Sequence, residues 1–104
     1  MNPIRLRTEY LKNPIGIDIE SIRSFKPELM RKTMNEDEQL RITSSAIPEV
    51  EFIRLWTQKE AVLKMQGTGI ISDIKNTLVA LENIDLQTKV NIDKQYAYTL
   101  AILR

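Results

Sequence analysis

The 104-residue sequence contains no cysteine and no histidine. Without Cys there is no disulfide framework and no thiolate zinc site, and without His there is neither an imidazole base nor an HExxH metal helix. Any chemistry must run on carboxylates, Lys, Arg and hydroxyl side chains. Long apolar runs are missing too: none exceeds four residues, and Met1-Asn2-Pro3-Ile4-Arg5 opens no signal region. The sequence therefore shows no membrane span and no secretory leader, and the expected compartment is the cytoplasm. Nor is there a surplus of charge. Fifteen Lys plus Arg against fourteen Asp plus Glu leave +1, which offers nucleic acid no global attraction. What is present is ordinary globular composition, 42% hydrophobic and 28% charged, enough for one folded domain and too short for two. A domain of this size buries only roughly 60 to 68% of the surface its unfolded chain exposes, so association with another subunit would add stability.

Residues 1–13 show no clear period and read as an N-terminal arm, leaving 14–104 as a single domain. Ile15-Gly16-Ile17-Asp18-Ile19-Glu20 alternates strictly, three isoleucines on one face and Gly, Asp and Glu on the other, the period of a half-buried strand. After Pro27 a short helix is predicted around Glu28 to Lys32. Asn35 with the acids behind it reads as the N-cap of a second, running to about Thr43. Pro48 to Gln66 carries apolar residues at helical spacing, with Pro48 near the start and Gly67 as C-cap. Downstream, Thr77 to Leu81 reads as a strand-like run. Leu86 to Ile92 and Tyr96 to Leu103 read as a hairpin turning at Asp93-Lys94. The order is α+β, with an antiparallel sheet packed against a long helix and shorter ones.

Alternation puts Asp18 and Glu20 on one face with Cα atoms about 7 Å apart, close enough for both carboxylates to meet one cation. The plain alternative is two solvated acids on the open face of an edge strand. On the long helix, Glu60 and Lys64 stand four apart and share a face, presenting a carboxylate beside an ammonium suited to phosphate. The plain alternative is a helix-stabilising pair worth ~0.2 to 0.5 kcal/mol. Trp56 reads as core more readily than as a ligand platform. Gly67-Thr68-Gly69 could approach a phosphate, although a helix stop already accounts for Gly67.

Taken together, Gly16-Ile17-Asp18-Ile19-Glu20 and the stretch LWTQKEAVLKMQGTGI beginning at Leu55 resemble the two signature blocks of the 4'-phosphopantetheinyl transferase superfamily. These are a GxDxE strand and a helix of the form [FW]-[ST]-x-K-E-[AS]-x-x-K, often followed by GxG. The resemblance spans roughly Pro14 to Ile71 and is nearer the larger Sfp-type enzymes than the short holo-acyl-carrier-protein synthases. It implies Mg²⁺-dependent transfer of the phosphopantetheine arm from coenzyme A to a serine of an acyl or peptidyl carrier protein. It further implies Asp18, Glu20 and Glu60 as metal ligands and Glu60 and Lys64 as catalytic groups. Lys59, Lys64, Gly67 and Gly69 would bind the coenzyme A co-substrate. Arg23, Lys26, Arg31 and Lys32, just past the strand, would dock the acidic helix of the carrier, with a solvated basic patch as the plain alternative. Glu60 or a metal-bound water is left as the base.

The Sfp-type enzymes are pseudo-dimers of two similar halves, and this sequence corresponds to the C-terminal one; the His-containing segment of the other half has no counterpart. Three explanations are open: a truncated product, a natural half that completes its site as a homo-oligomer or with a complementing half, or a remnant that binds a carrier or partner chain without chemistry.

Overall fold

The computed structural model describes residues 14–67 and 74–104; the arm expected over residues 1–13 and the expected phosphate-binding Gly69 lie outside them. The alternating hexapeptide builds strand β1 (Ile15–Ser21). Helix α1 (Pro27–Thr33) starts on Pro27, whose missing N–H costs nothing in a first turn. Helix α2 (Glu36–Thr43) is capped as the sequence predicts. The Asn35 side chain accepts from the Glu38 N–H at 2.9 Å, and the Glu38 carboxylate accepts from the Asn35 N–H at 2.9 Å. Helix α3 (Pro48–Gln66) begins on its proline. It ends at Gly67 in the left-handed conformation, φ 69°, where the Gly67 N–H reaches the carbonyls of Leu63 and Lys64.

Strands β2 (Ile84–Asn91) and β3 (Tyr96–Leu103) form the expected hairpin, with Lys94 N–H bonded to the Asn91 side chain in the turn. Both pairings are antiparallel and the order is β1-β3-β2, so the first strand pairs with the last. The predicted strand over Thr77 to Leu81 is not formed. That stretch follows a short 3₁₀ turn (Ile74–Asn76) and is itself turn over residues 77–80, with Ala80 at φ 54°. Its apolar residues serve packing instead of a ladder: Leu78 and Leu81 lean on Ala61, Val62, Met65 and Ala101.

Helix α3 lies across one face of the sheet. Met30, Met34, Ile42, Phe52, Ile53, Leu55 and Ala97 form the larger core cluster, with Phe25 stacked on Phe52 at 4.4 Å and Trp56 packed at its edge. The orientation of β1 excludes the open-face alternative for its acids. Gly16 and Asp18 are buried beneath α3, whereas Ile17 and Ile19 are 59% and 62% exposed. No helix among the described residues is long and apolar enough to cross a membrane.

Candidate active site

The contact that builds the site is made by a missing side chain. A Cβ at Gly16 would fall on the Ala61 carbonyl oxygen and stand 2.5 Å from the Met65 amide nitrogen. Glycine therefore lets the α3 backbone settle directly on β1. Two residues on, Asp18 meets the same helix one turn away, and Lys64 Nζ donates to Asp18 Oδ1 at 2.8 Å. The two sequence blocks thus touch through Asp18 and Lys64.

Asp18 is 5% exposed, and its second oxygen, Oδ2, is buried with no hydrogen-bond partner among the described residues. An unpartnered carboxylate oxygen is costly to bury unless a cation takes it up. Burial pushes the Asp18 carboxyl above its ordinary value; the Lys64 hydrogen bond and charge pull it back, and Glu20 adds to the rise. Glu60 is pushed up by burial, then by the charge of Asp18, with a smaller contribution from Glu20 and opposition from Lys64. The Lys64 ammonium is raised, chiefly by its bond to Asp18. Asp18 therefore feels the charge of Glu20, and Glu60 feels the charges of both Asp18 and Glu20. Among the described residues, however, no three acids converge into a ready-made metal cluster. Lys64 occupies Asp18, and Arg23 stands 3.6 Å from Glu20 while also donating to the Ser21 carbonyl and hydroxyl.

Among the described candidates, Lys59 faces away from Asp18 and Lys64. Its side chain is fully buried, and Nζ donates to Glu38 Oε1 at 2.7 Å and to the carbonyls of Ile74 at 2.9 Å and Lys75 at 2.8 Å. Lys59, expected to bind coenzyme A, ties α2 and the 3₁₀ turn to α3. Adjacent helical residues point about 100° apart, so Lys59 cannot share the Glu60–Lys64 face. It lies on the buried stripe of Leu55 and Leu63, four residues to either side, a placement readable from the sequence. Gly67 is accounted for as the helix cap, and no atom of the described residues lies within 4 Å of where a side chain would project there. Arg23, Lys26, Arg31 and Lys32 are all exposed, two before α1 and two in its last turn.

Sequence reasoning missed a run of buried polar contacts under α3. Thr57 Oγ1 donates to the Arg54 carbonyl at 3.0 Å and lies 2.9 Å from Thr99 Oγ1. Thr99 Oγ1 lies 2.8 Å from Thr88 Oγ1, and Gln58 Nε2 donates to Thr88 at 3.0 Å. No local signal joins threonines from three elements. A cleft of about 550 Å³ opens beyond the end of α3, lined by Met65, Gln66, Leu81 and Ile84 among others, but none of the three acids borders it.

The family model of the 4'-phosphopantetheinyl transferase superfamily matches residues 14–102, nearly the whole described chain and both halves of this site. The chain belongs to that superfamily. Among curated proteins it is similar to the 4'-phosphopantetheinyl transferase psf-1 of Bacillus pumilus, 36% identical over 59 residues. That match covers 55% of this chain and 25% of the relative, so the chain spans only a fraction of the transferase it matches. Among solved structures, the Thermotoga maritima holo-[acyl-carrier-protein] synthase superposes with a TM-score of 0.65. The match covers 88% of this chain and 62% of that one. At 14% identity it establishes the α+β fold of this phosphopantetheinyl transferase relative and nothing finer.

Proposed function

We propose that this superfamily member provides the metal- and phosphate-binding half of a phosphopantetheinyl transfer site. The reaction would move 4'-phosphopantetheine from coenzyme A to a serine of an acyl or peptidyl carrier protein. The observation that supports the reading best is Asp18, nine-tenths buried, held on one oxygen by Lys64 and, among the described residues, unpartnered on the other. That is a carboxylate half-satisfied by the protein and fit for a hard cation. Asp18, Glu20 and Glu60 would hold Mg²⁺, which when bound neutralises charge on the diphosphate. Lys64, whose side chain is 53% exposed, would release Asp18 and take a phosphate oxygen.

In the transfer the serine oxygen forms a bond to the β-phosphorus while the bond from that phosphorus to the bridging diphosphate oxygen breaks. Adenosine 3',5'-bisphosphate leaves with the electron pair. Glu60, more basic than an ordinary carboxylate, is the group of this chain suited to accept the serine proton, directly or through water. Arg23, Lys26, Arg31 and Lys32 would steer an acidic carrier surface, a contribution that weakens as salt rises.

A second reading is a half-domain that binds a carrier or partner chain without chemistry. The open sheet face supports a site completed by another subunit, either a second copy or a complementing half. Ile17 and Ile19 are exposed there, with Leu100 and Tyr98 directly across in register. Incubation with coenzyme A, Mg²⁺ and an apo carrier protein, followed by mass spectrometry, separates the readings. A phosphopantetheine adduct lost in Glu60→Gln supports the transferase, and carrier binding without an adduct supports the module. Absence of binding to either coenzyme A or carrier removes the function.

A further inference from the structure

Thr57, Glu60 and Lys64 follow one another at helical spacings of three and four, so all three lie on one stripe of α3. Directly beneath, Asp18, Thr99 and Thr88 occupy a single row across β1, β3 and β2, since Asp18 pairs with Thr99 and Thr99 with Thr88. Thr57 and Thr99 are both fully buried, and their hydroxyls meet. The helix stripe that carries Glu60 and Lys64 is thus pinned by its first member to the strand residue across from Asp18.

The proton count along this contact has one solution. The Arg54 carbonyl can only accept, so Thr57 spends its single proton there and must accept from Thr99. Thr99 then has no proton left and must accept from Thr88. Thr88 has in turn given its own and accepts from the Gln58 amide, which donates. Every hydroxyl donates once and accepts once, in one direction, from Gln58 through Thr88, Thr99 and Thr57 to the Arg54 carbonyl. None of these hydroxyl protons remains for Asp18, consistent with an Oδ2 that has no partner among the described residues.

We propose that this one-way hydroxyl chain is the positioning device of the site: it fixes the rotation and height of α3 over the sheet and thereby holds Glu60 and Lys64 against Asp18. Thr57, Thr99, Thr88 and Gln58 are positioning residues and touch no substrate. The inference rests on the metal-binding reading above for its consequence and on the protein geometry alone for its existence. A chain held at both ends by α3, at Gln58 and Arg54, resists rotation of the helix in either sense. A hydrophobic contact in the same place would resist only separation.

Two measurements on the full chain test it. In the wild type, proton NMR should show slowly exchanging hydroxyl signals for Thr57 and Thr99. Mg²⁺ titration followed by the shift in thermal unfolding midpoint should show Thr99→Val needing about tenfold more Mg²⁺ than wild type or beyond, the usual effect of losing a supporting shell. Thr99→Ser, which keeps the hydroxyl, should return to within about twofold of wild type on the same scale. Hydroxyls that exchange freely would overturn the inference. So would a Thr99→Val protein that melts earlier yet takes up Mg²⁺ as wild type does, because that is the behaviour of a purely structural threonine. If Thr99→Val does not fold, Thr57→Val is read by the same titration. A wild type that gives no Mg²⁺ response defeats the metal-binding reading, and the hydroxyl signals then decide the chain by themselves.

Discussion

One methyl group at position 16 would part the two halves of the site. Gly16→Ala forces the α3 backbone away from β1 at Ala61 and Met65, a rigid contact that no side-chain rotation relieves. The expected loss is about 3 kcal/mol by urea unfolding, at the upper end for overpacking, with any transfer activity falling alongside. The neighbouring acids make a second test. Asp18 and Glu60 bind protons more tightly folded than unfolded, so the native chain holds the excess of protons in the window just above their ordinary values of 3.8 and 4.5. Stability contributed by these two groups accordingly falls as pH rises through that window. The bond from Lys64 works in the same sense at the alkaline end, complete below its ordinary 10.5 and lost above the raised folded value. Urea midpoints across the acid range should decline less steeply with pH in Glu60→Gln than in the wild type. A steeper decline would contradict the assignment. Added Mg²⁺ should flatten the wild-type decline, since a bound cation favours the ionised acids.

Within and between elements, the helix ends and the terminal hairpin were legible because their determinants are local. Pro at a first turn, an Asn-to-Glu capping box and a left-handed glycine each act within a few residues. The stretch from Thr77 to Leu81 was not legible, since a short apolar run is equally at home in a strand or lining a core, and here the core took it. Lys59 belongs to the same lesson. Its motif position beside Glu60 suggested a ligand, whereas its buried periodicity and a partner 21 residues earlier make it a clasp between α2, α3 and the 3₁₀ turn. Lys59→Met should cost about 3 to 5 kcal/mol, because Glu38 is left buried and uncompensated. Pairing it with Glu38→Gln should recover much of that loss, and a double-mutant cycle measured by chemical denaturation gives the coupling.

For the molecule as a whole, the sheet has helices on one face and none of the described elements on the other. Antiparallel sheets tolerate one wet face, but that face is ordinarily polar. Here Ile17 and Ile19 occupy it on an edge strand, which favours a covering partner. Lys at both positions should leave the fold intact, as neither side chain enters the core, and should abolish any self-association seen by sedimentation velocity. A wild type that sediments as a monomer at all concentrations and gains carrier modification only when a complementing half is supplied would identify the partner as the other half.

The amino-acid order specified the strand, the helix limits, the glycine stop and the residue types of the candidate site, because alternation, capping and helical spacing operate over a few residues. The packing of α3 onto β1 settled which face of that strand is buried, that Lys64 lies on Asp18, that Lys59 turns away, and that three threonines from three elements share their protons. Those outcomes depend on contacts between segments 11 to 46 residues apart, and no local pattern encodes which of two faces a helix will cover.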